Sequence, residues 1–90
     1  FVFEDLEDVD DRGMQELLRE VSKEELLLAL KPVEGRLRDK FFNNMSSRAA
    51  ESLKEDMETR GPVKLSDVEL SQQNIIKTVQ RLAGEGRVMV

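Results

Sequence analysis

Apolar residues recur along this chain at the three- and four-residue spacing of an α-helix, and capping signals interrupt them at short intervals. The segment SKEELLLALKP shows the pattern most clearly. Ser22 followed by Glu25 is a capping box, and Pro32 disfavours helical geometry at the residue before it. We therefore predict a helix that ends at Lys31. Its run of leucines predicts burial on more than one side, as in the central helix of a bundle.

Four further segments carry the same helical spacing between capping and stop signals. Asp10 or Asp11 is expected to N-cap the first segment, and the next begins near residue 34. A third follows the polar run NNMSS and stops at Gly61, while Ser66 with Glu69 predicts a capping box for the long last helix. The side chains expected to face the core are Met14, Leu17, Leu18, Val21, Leu37, Phe41, Phe42, Met45, Ala49, Ala50, Leu53, Met57, Val68, Ile75, Ile76, Val79, Leu82 and Ala83.

The two ends of the chain lack this spacing. Phe1 and Phe3 alternate, so an extended opening segment would place both rings on one side, and on sequence alone the favoured interpretation is that the two rings close the core. At the other end, RVMV predicts a short extended tail. The whole pattern predicts an all-α fold, a compact bundle of about six short helices forming one domain over residues 1–90. Kinship with a helical-repeat architecture stays open. The last helix and the tail also resemble part of a winged-helix module.

Composition excludes several functions. The chain has no Cys and no His, which excludes disulfides, thiol chemistry, zinc-finger ligation and histidine catalysis. Adjacent carboxylates such as Glu55 and Asp56 point about 100° apart on a helix, so a catalytic pair is not expected there and we predict that the chain is no enzyme. A net charge of −5 disfavours nucleic acid, and neither a membrane span nor a signal peptide is present.

The stretch DVDDRG has part of the pattern of a calcium loop, with Asp8, Asp10 and Gly13 at the first, third and sixth positions. Arg12 and Arg19 then occupy positions where the ion requires oxygen ligands. We therefore expect helix capping at this stretch, and neither a metal site nor a cofactor site in the chain.

The segment RAAESLKEDMETRGPVK mixes cations and carboxylates along one predicted helix. With the apolar residues facing inward, Arg48 and Glu55 lie near the opposite side, about 10 Å apart along the axis, and Asp56 lies on the flank. A charged partner could bind this pattern. The alternative is an ordinary solvated helix in which Lys54 pairs with Glu58 or Glu51.

Six stretches together resemble the C-terminal domain of the flagellar motor switch protein FliG over nearly the whole chain. They are FEDLEDVDDR, LLREV, LLLALK, LRDKFFNNMSSRAAE, LKEDMETRGPVKLSDVE and RLAGEGRVMV, in the order and spacing of that family. The initial FVF is similar to the end of the hinge that joins this domain to a preceding armadillo-like segment, which assigns Phe1 and Phe3 to the hinge.

The resemblance implies a torque-generating domain whose charged ridge meets the stator. Its basic and acidic positions correspond here to Lys31, Arg48, Glu55, Asp56 and Lys64. Many members have Asp in place of Glu55 and Arg in place of Lys64, so the signs of these two charges are kept while their reach and hydrogen-bonding geometry differ. Many members also have Gly in place of Pro32.

The resemblance also implies the partners and the location. These are the cytoplasmic loop of the stator protein MotA, the switch protein FliM, neighbouring FliG copies in a ring, and a membrane ring contacted through N-terminal regions outside this sequence. The expected place is the flagellar basal body at the cytoplasmic face of the inner membrane, with a part in switching rotation direction. The competing interpretations are an inert packing domain of a helical scaffold and an acidic winged-helix interaction module.

Overall fold

Helices joined by short turns make up the chain in the computed structural model, which describes residues 1–90. The elements are a 3-10 helix (Phe3–Asp8), α1 (Asp11–Glu20), α2 (Lys23–Leu30), α3 (Gly35–Asn43), α4 (Ser47–Arg60) and α5 (Leu65–Gly84). The predicted all-α class with about six helices is confirmed. No strand forms, so the winged-helix interpretation is wrong. None of the helices combines the length and apolarity that a bilayer span requires.

Local capping sets most of the helix boundaries. The Asp10 carboxylate accepts a hydrogen bond from the Gly13 N–H (2.8 Å), and the Ser22 hydroxyl accepts one from the Glu25 N–H (3.2 Å). Each bond satisfies an amide that has no partner inside its helix. The second helix ends at Leu30, and Lys31 is its C-cap, as the proline that follows predicts.

The start of the last helix differs from the prediction. Ser66 was expected to N-cap it, but α5 begins at Leu65, and Lys64 is the N-cap. The reason lies in the backbone, because the Lys64 carbonyl accepts hydrogen bonds from the N–H groups of Asp67 and Val68, both at 3.1 Å. Ser66 therefore lies inside the first turn, where its hydroxyl cannot act as the cap.

The opening segment is helical rather than extended. Its Val2 N–H donates to the Asp5 carboxylate at 2.8 Å, which closes a turn at the start of the 3-10 helix. Phe3 is 3% exposed and its ring stacks on Phe41 with centroids 5.9 Å apart, whereas Phe1 is 50% exposed. Of the two rings expected to close the core, only Phe3 does so, and the extended segment that would place both rings on one side does not form.

The core lies around α2, which packs against α5 on one side and α4 on the other. This confirms the central helix predicted from its leucine run. The buried apolar cluster consists of Phe3, Leu6, Val9, Met14, Leu17, Val21, Leu26, Leu27, Ala29, Leu30, Leu37, Phe41, Phe42, Leu53, Met57, Ile75, Val79, Leu82 and Val88. One residue predicted to be inside, Ala49, is exposed, because it lies in the first turn of α4 beyond the edge of the core.

The C-terminal tail forms a turn and then an irregular stretch that packs on α1. Val88 is buried, and a Cβ at Gly13 would lie 3.3 Å from Val88 Cγ1 and 2.8 Å from Val9 Cγ1. Gly13 is therefore the position where α1 approaches both neighbours too closely for a larger side chain. The predicted extended tail does not form a strand, since it makes no ladder with another segment.

Candidate protein-interaction surface

The charged stretch forms one helix at the edge of the molecule. The Ser46 hydroxyl caps α4 by accepting from the Ala49 N–H at 3.1 Å, and Gly61 ends the helix with a φ of 73°. Only Leu53 and Met57 of α4 are buried. Most of its surface therefore faces outward, as a helix needs if it is to present charges to a partner.

Arg48 and Glu55 lie exposed on this outer surface, as predicted. Neither side chain has an ion-pair partner within 4.0 Å in the structure. They lie about 10 Å apart along the axis, which is too far for direct neutralisation. Two unlike charges are thus left free for contacts with another molecule.

Asp56 differs from its neighbour Glu55 because it has a partner inside the domain. Its carboxylate lies 2.5 Å from the ammonium of Lys23, which also donates to the Ser52 hydroxyl at 2.6 Å. Lys23 belongs to the first turn of α2, and sequence spacing gave no signal for this pair. A cation on another molecule would have to compete with Lys23 for Asp56.

Lys31 is partly buried, and its ammonium donates to the Met57 carbonyl. That carbonyl is one of the last four of α4, which have no N–H partner within the helix. The negative end of the helix dipole lies at the same place, so the ammonium is favourably placed there. Lys31, predicted as a partner contact, thus touches the end of the charged helix.

A second ion pair joins the two helices at the end of α4. The guanidinium of Arg60 donates to both carboxylate oxygens of Glu24, at 2.8 and 2.6 Å. These hydrogen bonds lower the pKa of Glu24 below its ordinary value and raise the pKa of Arg60. Sequence analysis missed this pair, because its members lie far apart in the chain and no local rule connects them.

Lys54 makes a contact that the sequence did not predict. Its ammonium lies 5.0 Å from the centroid of the Phe42 ring, on which Arg38 also lies at 4.9 Å. No ion pair joins Lys54 to Glu58 or to Glu51, so that detail of the solvated-helix interpretation is wrong. The cation–π contact instead ties α4 to α3.

Lys64 lies apart from the other predicted residues. It is exposed at the start of α5, beyond the turn that follows α4, and forms no ion pair. The structure therefore brings Lys31 and Asp56 into contacts between α2 and α4 and leaves Arg48 and Glu55 free on α4. Lys64 stands on the connection between α4 and α5.

The remaining surface offers an open groove rather than a chemical site. Its volume is about 490 Å³, and it runs between α1 and the first half of α4, past Leu18, Met45 and Ala49. Arg19 and Lys23 also line it. Nowhere do three or more carboxylates lie together as a metal site would require. The exposed charges without an ion pair on α4 make this helix the candidate surface for ionic contacts with another protein.

Comparison with known proteins identifies one family. Its profile, that of the FliG C-terminal domain, matches residues 1–90. The chain is 51% identical to the flagellar motor switch protein FliG of Pseudomonas aeruginosa over 90 residues, covering 100% of the chain and 27% of the relative. It is 49% identical to the FliG of Thermotoga maritima over the same length, again 27% of the relative. The chain thus spans about a quarter of the length of these curated relatives.

Solved structures give the same result. FliG of Helicobacter pylori (residues 86–343) superimposes with a TM-score of 0.96 at 44% identity, covering 100% of this chain and 42% of that one. Full-length FliG of Aquifex aeolicus gives a TM-score of 0.92 at 39% identity, covering 97% of this chain and 27% of that one. Because the family profile spans every residue and the fold superimposes closely, this chain belongs to the FliG C-terminal domain family.

Proposed function

We propose that this chain is the torque-generating domain of a flagellar motor switch protein, a rotor component that contacts the stator through charges on and beside α4. The main support is that Arg48 and Glu55 on α4 are exposed, have opposite charges and form no ion pair, in a member of this family. Lys64 extends the set beyond the end of α4. Asp56 and Lys31 belong to the same surface. On stator contact, Asp56 leaves Lys23 and Lys31 leaves the Met57 carbonyl, and both bind groups on the stator instead.

The proposed partners are the cytoplasmic loop of the stator protein MotA, the switch protein FliM and neighbouring FliG copies. The proposed location is the flagellar basal body, at the cytoplasmic face of the inner membrane. Ion flow through the stator supplies the energy, so the domain acts mechanically and not as an enzyme. Exposed ion pairs are worth about 1 kcal/mol or less, which lets each contact form and release quickly as a stator passes.

Switching of rotation direction is proposed to follow from reorientation of the domain about its opening segment. Phe3 is fixed in the core against Phe41, whereas Phe1 and Val2 are exposed. This contrast supports a pivot on the N-terminal side of Phe3, so that the Phe3 ring moves with the domain.

The test is a double charge reversal, Arg48→Glu with Asp56→Lys, in cells that carry the full-length protein. We expect filaments that assemble but do not turn, scored by microscopy and by tethering, and we expect a compensating charge reversal in the stator loop to restore rotation. The matched control is Arg36→Glu with Glu7→Lys, the same change of signs at an exposed pair away from α4 (3.3 Å). Normal rotation in the α4 variant would mean that the ridge is only a solvated face of a packing domain.

A further inference from the structure

We propose that Glu24 and Arg60 form a clamp that positions the last turn of α4, and that both are positioning residues rather than stator contacts. The inference rests on the proposed function, because it concerns how the charged helix is held while force acts on it. The starting observation is that α4 has little apolar attachment, since Leu53 and Met57 are its only buried residues. A helix held so lightly needs other contacts to fix its orientation.

The geometry of the pair suits that task. The two parallel N–H···O bonds between the Arg60 guanidinium and the Glu24 carboxylate, 2.8 and 2.6 Å long, fix the relative orientation of the groups as well as their distance. A lysine at position 60 would supply the charge without the planar fork. Both side chains are partly exposed, at 41% and 58%, but each is already occupied by the other.

The place of the clamp supports the same conclusion. Arg60 is the last residue of α4, and Gly61 follows it with a positive φ that turns the chain toward Lys64. One turn earlier, the Met57 carbonyl accepts from Lys31. Glu24 of α2 and Lys31, the C-cap of α2, therefore hold the end of α4 from two points, just before the segment that carries Lys64.

The clamp also separates charges of the same sign. Glu24 on α2 and Asp56 on α4 are both carboxylates, and each has its own cation, Arg60 and Lys23 respectively. Without Arg60 the two carboxylates would face each other across the junction of the two helices with a single cation between them. Mutual repulsion would then move the end of α4 away from α2.

The test is a charge swap in the full-length protein. Glu24→Arg alone and Arg60→Glu alone are expected to speed amide hydrogen exchange in the last turn of α4 about two- to fivefold, with exchange in α5 unchanged, and to slow rotation of tethered cells. The double variant restores the opposite charges in reversed order. It is expected to restore both exchange and rotation, which a direct stator contact would not do, because the sign presented at position 60 stays reversed.

Each other outcome is decisive. If the swap restores exchange but not rotation, one of the two residues touches the stator and the positioning role is wrong. If the single reversals change neither measurement, the clamp has no role. Glu7→Arg, in the exposed pair with Arg36, is the matched control and should leave α4 unaffected. Normal rotation in the Arg48 and Asp56 reversal would overturn the proposed function separately, since exchange in α4 tests the clamp without reference to the stator.

Discussion

Two carboxylates of this domain have their pKa lowered by an arginine on another helix. Glu24 accepts from Arg60, and Glu20 on α1 accepts from Arg81 on α5 at 2.7 Å. In both cases the arginine hydrogen bond is the main cause, and the charge attraction adds to it. The ionised carboxylate is therefore more stable in the folded chain than in the unfolded chain.

This gives folding stability a predictable dependence on pH. Because the folded pKa of Glu20 lies below the unfolded value near 4.5, its contribution is complete above that value and is lost as pH falls through the folded pKa. Glu20→Gln should therefore lose less stability than the wild type between about pH 6 and about pH 3, as measured by thermal unfolding. Glu51→Gln, which removes an exposed carboxylate without an ion pair, is the control, and an equal effect of both substitutions would contradict the prediction.

For the charged side chains of α4, the sequence predicted which are exposed better than it predicted their ion-pair partners. The exposure of Arg48 and Glu55 was predicted correctly because the helical spacing places them opposite the buried Leu53 and Met57. The partners of Asp56 and Arg60 were missed because the pairs with Lys23 and Glu24 cross between helices, and their spacing along the chain follows no periodic rule. For Lys54 the sequence predicted a carboxylate partner, because no local pattern indicates that the Phe42 ring of α3 lies beside its ammonium.

The end of α4 depends on one glycine. Gly61 has φ 73° and ψ −158°, a combination that residues with a Cβ rarely adopt. The Gly-Pro sequence predicted this stop correctly. The start of the next helix was misplaced, since the preference of serine for N-caps was outweighed by backbone hydrogen bonds to Lys64. Local signals therefore predicted where this helix stops better than where the next one starts.

We expect Gly61→Ala to destabilise the domain by about 1–3 kcal/mol through backbone strain. A Cβ at this position would meet nothing within 4 Å, so steric clash adds nothing. Gly84→Ala is the matched control, because a Cβ there is equally unobstructed and the residue is helical with an ordinary φ. The control should be neutral or slightly stabilising. Equal free energies of unfolding for the two variants, measured with urea, would show that the turn after α4 is not strained by a side chain.

Over the whole molecule, the sequence predicted the elements and left their arrangement open. Each helix carries its own apolar stripe, and α1, α2 and α4 also carry a side-chain N-cap. These local signals are why the class and most boundaries were right. The central position of α2 was predicted from its leucine run, but its neighbours, α4 and α5, were not. The edge position of α4 could not be predicted, because burial of two residues and exposure of the rest depend on which helices pack beside it.

The charge distribution gives a final prediction at this scale. The net charge is −5, yet the proposed contact surface carries free charges of both signs, so its partner must also present both. Association of the full-length protein with a peptide of the stator loop should weaken as salt rises from about 0.1 M to about 1 M, where the screening length falls from about 10 Å to about 3 Å. Fluorescence anisotropy of a labelled peptide measures the dissociation constant at each salt concentration.

The Arg48→Glu and Asp56→Lys variant supplies the control, since it should bind weakly at low salt and lose most of the salt dependence. Thermal stability of the domain should change much less with salt than binding does, because the fold rests on a continuous apolar core. Binding that persists or strengthens in salt would contradict ionic contact at α4. Such a result would indicate contact through an apolar surface, such as the groove past Leu18 and Met45, because salt strengthens the burial of apolar side chains.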